Sequence, residues 1–238
     1  MSATAGEGRT GLGRRLAVAA VALATALVIT GAAIALFFNP FWVSFAQGRA
    51  DAAAFTGWTA EQVDAVTRDI VLEVWLGPGA FVQEVAGEPL FNERERSHMA
   101  DVRGVTLSFY ALVTAALAVL LVAGVASRRS PWFRRAVALG AGGLAVGTFA
   151  VGTAFLVFFD TAFAIFHKLF FAEGTWTFDP ATDRLVQLFP YQFWTETSVA
   201  TAVAGLALTL VVWAVARRSA RPRRSPAVPN PAPAPVEP

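Results

Sequence analysis

The chain has 238 residues, of which 55% are hydrophobic and 15% are charged. Soluble domains are usually about 25% charged, so this composition excludes an ordinary soluble domain and indicates an integral membrane protein. The absence of cysteine excludes disulfides, a thiol nucleophile and a cysteine-based metal site.

Four uncharged apolar stretches are long enough to cross a hydrocarbon core of about 30 Å, at about 1.5 Å of helix per residue. They are residues 16–38, 105–126, 136–159 and 198–216. The alternative for the first stretch is a cleaved signal peptide, whose apolar core would be shorter. The first stretch instead ends in an aromatic sequence typical of a membrane interface, which favours a retained span.

The polar segment between the first two spans carries two helix-start signals. A capping box begins at Thr59, and apolar residues then recur at helical spacing, which predicts an amphipathic helix over about 60–75. Asn92 followed by acidic residues has the form of a second N-terminus. The helix that begins there should carry His98 and Asp101 into the second span.

The third apolar stretch contains Gly143 and Gly147 at GxxxG spacing, which permits close packing against a partner helix. The alternative is that glycine is simply frequent in this alanine-rich chain and that the spacing has no packing role. The apolar pattern continues past Asp160 to Phe171, which is too long for one straight span. We therefore predict a break near Asp160 and a membrane-surface helix that holds His167.

The polar segment before the fourth span also shows a helix start. Asp179 followed by Pro180 resembles an N-cap with proline at the first helical position, and the short helix should end before Pro190. Neither large polar segment buries much apolar surface alone, so the two should pack into a small, partly helical cap. Four tryptophans should lie in the cap or at the interface with hydrogen-bonded N–H groups: Trp58, Trp75, Trp176 and Trp194.

The basic residues are unevenly distributed. The N-terminus, the 127–135 loop and the C-terminal tail hold 12 arginines and two acidic residues, whereas the other polar segments hold seven basic and 15 acidic residues. The positive-inside rule places the arginine-rich parts in the cytoplasm. This predicts a cytoplasmic N-terminus (1–15), loop (127–135) and disordered tail (217–238), with extracytoplasmic segments at 39–104 and 160–197. The tail should face anionic lipid rather than nucleic acid.

His98 and His167 are the two histidines of the chain, and both lie at predicted membrane entry points on the outer side. Imidazole titrates near neutral pH and is the usual general base. Asp101 is three residues from His98 on the same predicted helix, so its carboxylate could orient the ring. The alternatives are an interfacial histidine beside a solvated aspartate, and a metal site of two histidines and a carboxylate, although the spacing fits no strong zinc pattern.

Two pieces of the sequence resemble the lipoprotein intramolecular transacylase (Lit) family. They are SHMADV before the second span and FHKLFFAEGTWTFDPATDRLVQLFPYQFW before the fourth. The resemblance covers residues 16–216 and implies four spans, cytoplasmic termini and two extracytoplasmic segments, each with an essential histidine. His98 and His167 match the two catalytic histidines of the family. Its other motif positions are matched by Asp101, Trp176, Asp179 and Asp183.

The resemblance implies a bacterial plasma-membrane acyltransferase. Its substrate would be a diacylglyceryl-modified lipoprotein, whose sn-2 acyl chain moves to the N-terminal cysteine amine to give the lyso form. An imidazole base could keep an α-amine of pKa about 7.7 nucleophilic. Amine and ester belong to one molecule, so the protein mainly has to hold them in attack geometry.

Several points stay open at this level. The acyl chain could pass directly to the amine or through an acyl-histidine, and Lys168 or Arg103 could stabilise the oxyanion. We predict no cofactor and no metal ion, and membrane lipid and lipoproteins as partners. We expect both histidines near a surface cavity, where alanine would leave folding largely intact. The competing class is a non-enzymatic tetraspan membrane protein that binds a partner or lipid through its cap.

Overall fold

The computed structural model describes residues 4–127 and 130–220. Arg128 and Arg129 of the predicted cytoplasmic loop lie outside the described residues, as does most of the tail predicted to be disordered, from residue 221 onward. The described elements are, in order, α1 Thr4–Phe37, α2 Pro40–Arg49, α3 Ala52–Thr56, α4 Ala60–Trp75, β1 Glu84–Val85, β2 Glu88–Pro89, α5 Glu93–Ala126, α6 Pro131–Val157, α7 Phe159–Phe170, α8 Arg184–Leu188 and α9 Tyr191–Ala220.

Four of these helices, α1, α5, α6 and α9, are long and apolar enough to cross a membrane, which confirms the predicted all-helical architecture. The candidate spans are Gly11–Phe37, Glu93–Ala126, Pro131–Phe155 and Tyr191–Arg218. Each begins several residues before the predicted apolar run, because the helix continues through the polar residues that precede it. With 34 residues, α5 is about 51 Å long, more than a hydrocarbon core of about 30 Å requires. Its charged first turns therefore extend beyond the apolar part.

The central helix of the bundle is α1, which packs against α5, α6 and α9, while α6 and α9 also pack against each other. A methyl group at Gly140 of α6 would overlap the backbone of Ala22 in α1, so this crossing requires glycine. Gly143 and Gly147 approach no neighbouring atoms in the described part of the chain. The prediction of close packing at Gly143 and Gly147 is therefore wrong. The glycine that approaches α1 is Gly140, three residues before Gly143.

The two polar segments pack together, as predicted. We call residues 38–92 and 158–190, with the first three turns of α5, the cap. In its first segment, Thr59 forms the predicted capping box with Gln62, and α4 buries its apolar face. In its second segment, Leu185 and Leu188 join the same buried cluster. The other buried members are Ala52, Val63, Val66, Ile70, Val74, Phe81, Leu90, Phe91 and Met99.

The apolar stretch after the third span breaks at Phe158, two residues before the predicted position. The short helix α7 follows directly, with Ile165 and Leu169 exposed and His167 buried. An amphipathic helix next to a span suits the membrane interface, where its exposed apolar side chains face lipid. The turn from α6 into α7 thus brings His167 back over the end of the bundle.

The helix predicted to begin at Asp179 is wrong by several residues, since α8 begins only at Arg184. Asp179 Oδ1 accepts a hydrogen bond from the Ala181 backbone N–H at 2.9 Å, which closes a local turn instead of starting a helix. The Asp183 N–H then donates to the Asp179 carbonyl oxygen at 2.8 Å. This single turn is not continued, and α8 begins after it with Asp183 as the N-cap residue.

Candidate active site

His98 and His167 lie side by side in the cap, although 69 positions of the sequence separate them. Their ring centroids are 6.1 Å apart and their planes differ by 21°. His98 comes from the first turns of α5 and His167 from the last turn of α7. Both side chains are buried, with 5% and 9% of their surface exposed. The cap therefore contains a stacked pair of buried imidazole rings, which is the candidate active site.

The tautomer of His167 is set by its own helix. Its Nδ1 lies 2.8 Å from the Phe163 carbonyl oxygen, so Nδ1 carries the proton and Nε2 keeps a free lone pair. Burial lowers the pKa of His167 below its ordinary value, while the hydrogen bond to Phe163 acts in the opposite direction. The neutral ring is therefore favoured at pH 7, and its Nε2 is suited to act as a base.

His98 lies in an aromatic enclosure. The centroids of Phe171 and Phe178 are 4.8 Å and 5.4 Å from its own. Its Nδ1 is buried and has no hydrogen-bond partner among the described residues. Asp101 is exposed and therefore does not orient the ring through that atom. His98 is instead held by packing.

Trp176 joins the two histidines as an aromatic side chain of the site with a polar atom, its indole nitrogen. Its ring centroid lies 5.0 Å from that of His167. Its Nε1–H is buried and unpaired within the described part of the chain. The expectation of a hydrogen-bonded indole holds for Trp75, which donates to the Phe38 carbonyl oxygen at 3.2 Å, but is wrong for Trp176. An unpaired buried donor costs about 1–3 kcal/mol, and such a group beside two histidines points to a function.

Asp183 joins the two halves of the cap rather than the histidines. Its carboxylate is buried and accepts hydrogen bonds from Asn92 Nδ2 at 2.9 Å and from the Asp179 backbone N–H at 2.7 Å. It also pairs with Arg94 Nη2 at 2.7 Å. Asp179 itself is exposed and forms the local turn described above. The two aspartates therefore shape the loop that carries Trp176.

Glu95 is a buried carboxylate whose role the sequence did not reveal. Its Oε2 accepts from the Asn92 N–H at 2.8 Å, which completes a capping box at the start of α5. Its Oε1 accepts from the Leu185 N–H of α8 at 2.7 Å. The asparagine–glutamate spacing signals the first bond, whereas the second joins residues 90 positions apart and has no local signature.

The two basic residues considered for oxyanion stabilisation lie elsewhere. Lys168 is exposed, and Arg103 Nη2 donates to the Gly77 carbonyl oxygen at 2.7 Å. Within the residues that the structure describes, no group of three or more histidine, aspartate or glutamate side chains is arranged to hold a metal ion.

The fold and the site together define a class: a multi-pass, four-span helical membrane protein whose cap encloses a pair of buried imidazoles. The family model "Lipoprotein intramolecular transacylase Lit" matches residues 17–194. The chain therefore belongs to the Lit family of lipoprotein intramolecular transacylases. This membership favours an enzyme over the alternative of a partner-binding tetraspan protein. No curated protein matches the chain.

Solved structures show the same fold. An in meso structure of the membrane integral transacylase Lit from Bacillus cereus is similar at a TM-score of 0.74 and 17% identity, over 88% of this chain and 96% of that one. Two structures of that protein with one histidine replaced, by arginine or by alanine, give TM-scores of 0.71 and 0.70 at 16% identity. They cover 92% and 90% of this chain, and 96% of theirs.

Proposed function

We propose that this protein moves the sn-2 acyl chain of a diacylglyceryl-modified lipoprotein to the N-terminal cysteine amine, which yields the lyso form. The observation that supports this most strongly is the buried pair of His98 and His167 at the junction of the cap and the membrane helices. An ester attached to two acyl chains reaches that depth while its chains stay in lipid. The amine reaches it from the cap side.

In the proposed reaction, His167 Nε2 accepts the proton that the cysteine amine loses as its nitrogen attacks the ester carbonyl carbon. The Phe163 carbonyl oxygen keeps Nδ1 protonated, so Nε2 carries the lone pair that takes this proton, and the ring becomes an imidazolium until the proton is passed on. The new C–N bond forms and the ester C–O bond breaks. The released glyceryl oxygen takes a proton from the histidine pair, which returns the site to its neutral state.

The proposed role of Trp176 is to stabilise the oxyanion of the tetrahedral intermediate. Its buried Nε1–H is unpaired among the described residues and lies on the ring that stacks against His167. A donor that has no partner before the reaction loses nothing when the negative charge develops. The exposed Lys168 has no comparable position.

His98 has two possible roles. As the second imidazole it passes the proton to the leaving oxygen, or it attacks the ester itself and carries the acyl chain before the amine arrives. Mass spectrometry of the intact protein after mixing with substrate distinguishes these routes. The covalent route is supported by an acyl adduct on His98 that disappears as its acyl group moves to the cysteine amine and the lyso form accumulates. Absence of the adduct during turnover supports direct transfer.

We propose further that the cap faces the outside of a bacterial plasma membrane and that both termini are cytoplasmic. The arginine distribution supports this orientation. The chain has no native cysteine, so a single cysteine at Ser219 can be labelled without background. We expect an impermeant thiol reagent to label it only after the cells are opened. Labelling in intact cells contradicts the orientation.

The activity itself is tested on a reporter lipoprotein. Mass spectrometry of its N-terminal peptide should show an N-acyl group and a lyso-glyceryl thioether in cells that express this chain. The matched control is a strain that carries His167→Gln. An unchanged diacylglyceryl, free-amine N-terminus in the presence of the folded wild-type protein rejects the proposed function.

A further inference from the structure

A shallow, open cleft lies on the cap, and most of the residues that line it have polar side chains. Its volume is about 570 Å³, within the range of small-ligand sites. Two stretches of chain line it: the first turns of α5 and the loop that follows α7. The lining residues are Asn92, Glu93, Arg94, Ser97, Gly174 and Thr175. Nothing in the mechanism above uses this cleft.

The cleft adjoins the site on both of its walls. On one wall, Ser97 directly precedes His98 in α5. On the other, Thr175 directly precedes Trp176, whose ring lies against His167. A molecule in the cleft therefore lies one residue along the chain from two groups of the site, without occupying their place.

The cleft lies on the side of the site that faces away from the membrane helices. Because α5 runs from the cap into its apolar part, Asn92 is about 9 Å farther from that part than His98, at about 1.5 Å per residue. The helix α7, which directly follows the third span, exposes Ile165 and Leu169, and such an exposed apolar face suits lipid. Acyl chains therefore suit the apolar face of α7, whereas a polypeptide chain suits the cleft.

The side chains of the cleft fit a polypeptide backbone. Glu93 and Ser97 are exposed, so the cleft offers a carboxylate that accepts hydrogen bonds and a hydroxyl that donates or accepts. Asn92 and Arg94 are already bound to Asp183, which fixes that wall in place. A peptide supplies a donor and an acceptor at each residue, whereas acyl chains supply neither.

We propose that this cleft binds the residues that follow the N-terminal cysteine of the lipoprotein. This rests on the proposed function. An extended chain spans about 3.3–3.6 Å per residue, so about three residues cover the distance from the histidine pair to Asn92. Binding them fixes the direction in which the cysteine enters, and so places its amine beside the His167 base.

The test compares two substrates with purified full-length protein in detergent micelles. One is a diacylglyceryl cysteine followed by four further residues, and the other is a diacylglyceryl cysteine amide that ends after the cysteine. Glu93→Trp and Ser97→Trp place a bulky ring in the cleft, while Asp64→Trp places the same ring at an exposed position of α4. The measured quantity is the ratio of kcat/KM for the long substrate to that for the short one.

Wild-type protein should prefer the long substrate. Glu93→Trp and Ser97→Trp should each lower the ratio about tenfold, through KM, which corresponds to the loss of one or two hydrogen bonds. Asp64→Trp should leave the ratio unchanged. Ser97 is next to His98, so Ser97→Trp could lose activity because the histidine is disturbed or the protein does not fold. Glu93 is one helical turn farther from His98, and in those cases the Glu93→Trp protein decides the result.

Two results overturn the inference while the proposed function stands. One is an unchanged ratio in the Glu93→Trp protein, and the other is an equal loss for both substrates, which assigns the cleft to the shared glyceryl or cysteine part. Conversion of neither substrate by wild-type protein rejects the proposed function, and with it the inference.

Discussion

The cap contains two groups of buried polar atoms that differ in one respect. In the first group, Glu95 and Asp183 have their carboxylate oxygens bonded to backbone and side-chain donors across the two segments. In the second group, which lies at the histidine pair, His98 Nδ1 and Trp176 Nε1 are buried without a partner among the described residues, as are Gln83 Oε1 and Arg103 Nε elsewhere in the cap. Glu95 and His98 are only three positions apart on α5. Sequence proximity and burial therefore do not decide which group a residue belongs to.

The difference separates stability from function. Buried polar groups are normally paired, and unpaired ones persist where they serve a ligand or a reaction. The paired carboxylates fix the start of α5 to α8. The loop between α7 and α8, which carries Trp176, is thereby held against His98. The first group thus fixes the two segments of the cap to each other, and in the proposed reaction the second group is free to contact the substrate.

The largest expected effect is loss of the base. His167→Gln removes Nε2 as a base while a polar side chain of similar length stays in place, and we expect conversion to the lyso form to fall about 10²- to 10⁴-fold. The measurement is the rate of lyso-lipoprotein formation by mass spectrometry, with unchanged thermal unfolding as the control for folding. Activity within threefold of wild type contradicts the mechanism.

Alanine is a poorer choice at these positions than the sequence indicated. Both histidines are buried among aromatic rings rather than at the rim of a surface cavity, so alanine leaves a void as well as removing the base. Some destabilisation is expected from His98→Ala and His167→Ala. This corrects the expectation that alanine leaves folding largely intact.

The next effect concerns the oxyanion. Trp176→Phe keeps an aromatic ring but removes the Nε1–H, and the loss of one oxyanion donor typically lowers kcat about 10²- to 10³-fold. Because that N–H has no partner in the described structure, its removal should not lower the unfolding temperature. Trp75→Phe is the matched control, since it removes an N–H bonded to Phe38. A folded Trp176→Phe protein with wild-type kcat rules out the donor role.

The paired group should respond in the opposite way. Glu95→Ala leaves the buried N–H of Leu185 and the partly buried N–H of Asn92 without their acceptor, which should lower the free energy of unfolding by about 1–3 kcal/mol. Glu93→Ala removes the same charge from the same helix turn at an exposed position, and should change stability by less than about 0.5 kcal/mol. Chemical unfolding in detergent measures both. Equal destabilisation of the two proteins contradicts the locking role of Glu95.

Much of the frame could be predicted from the sequence, because its signals are local. Apolar length predicts the four spans. The capping box at Thr59, and Asn92 followed by acidic residues, predict two helix starts that the structure confirms. The signals failed where a side chain had competing local partners. Asp179 closes a turn onto Ala181 instead of capping a helix, and the helix contact falls at Gly140.

The site was predictable only in part. The scarcity of histidine and its position at two span entries marked His98 and His167, and the structure brings them together. The sequence could not predict that the Trp176 N–H is unpaired, because composition and spacing give no information about missing hydrogen-bond partners. The bond from Glu95 to Leu185 likewise depends on how two distant segments dock.

A smaller effect concerns pH. Burial lowers the pKa of His167, so its neutral ring should persist below the ordinary value of about 6.5. The resulting stabilisation is fully present above about pH 6.5 and is lost as pH falls through the lower folded-state pKa. Nitrogen-15 spectra of histidine-labelled protein, assigned with His98→Gln, measure the midpoint. A His167 midpoint at or above 6.5 contradicts the assignment of a neutral base.

The smallest effect is expected at Asp101, and it tests whether a carboxylate near His98 matters at all. Asp101 is exposed, and His98 Nδ1 has no hydrogen-bond partner within residues 4–127 and 130–220. An orienting carboxylate would have to reach a ring nitrogen, as in the usual nucleophile–base–orienter arrangement. Asp101→Asn should therefore change kcat by less than about threefold, which is the scale of an exposed charge in water. If the rate falls by a factor of a hundred or more while the protein stays folded, the aspartate must swing onto His98 when substrate binds. His98 would then belong with the paired polar groups during catalysis, although it stands apart from them at rest.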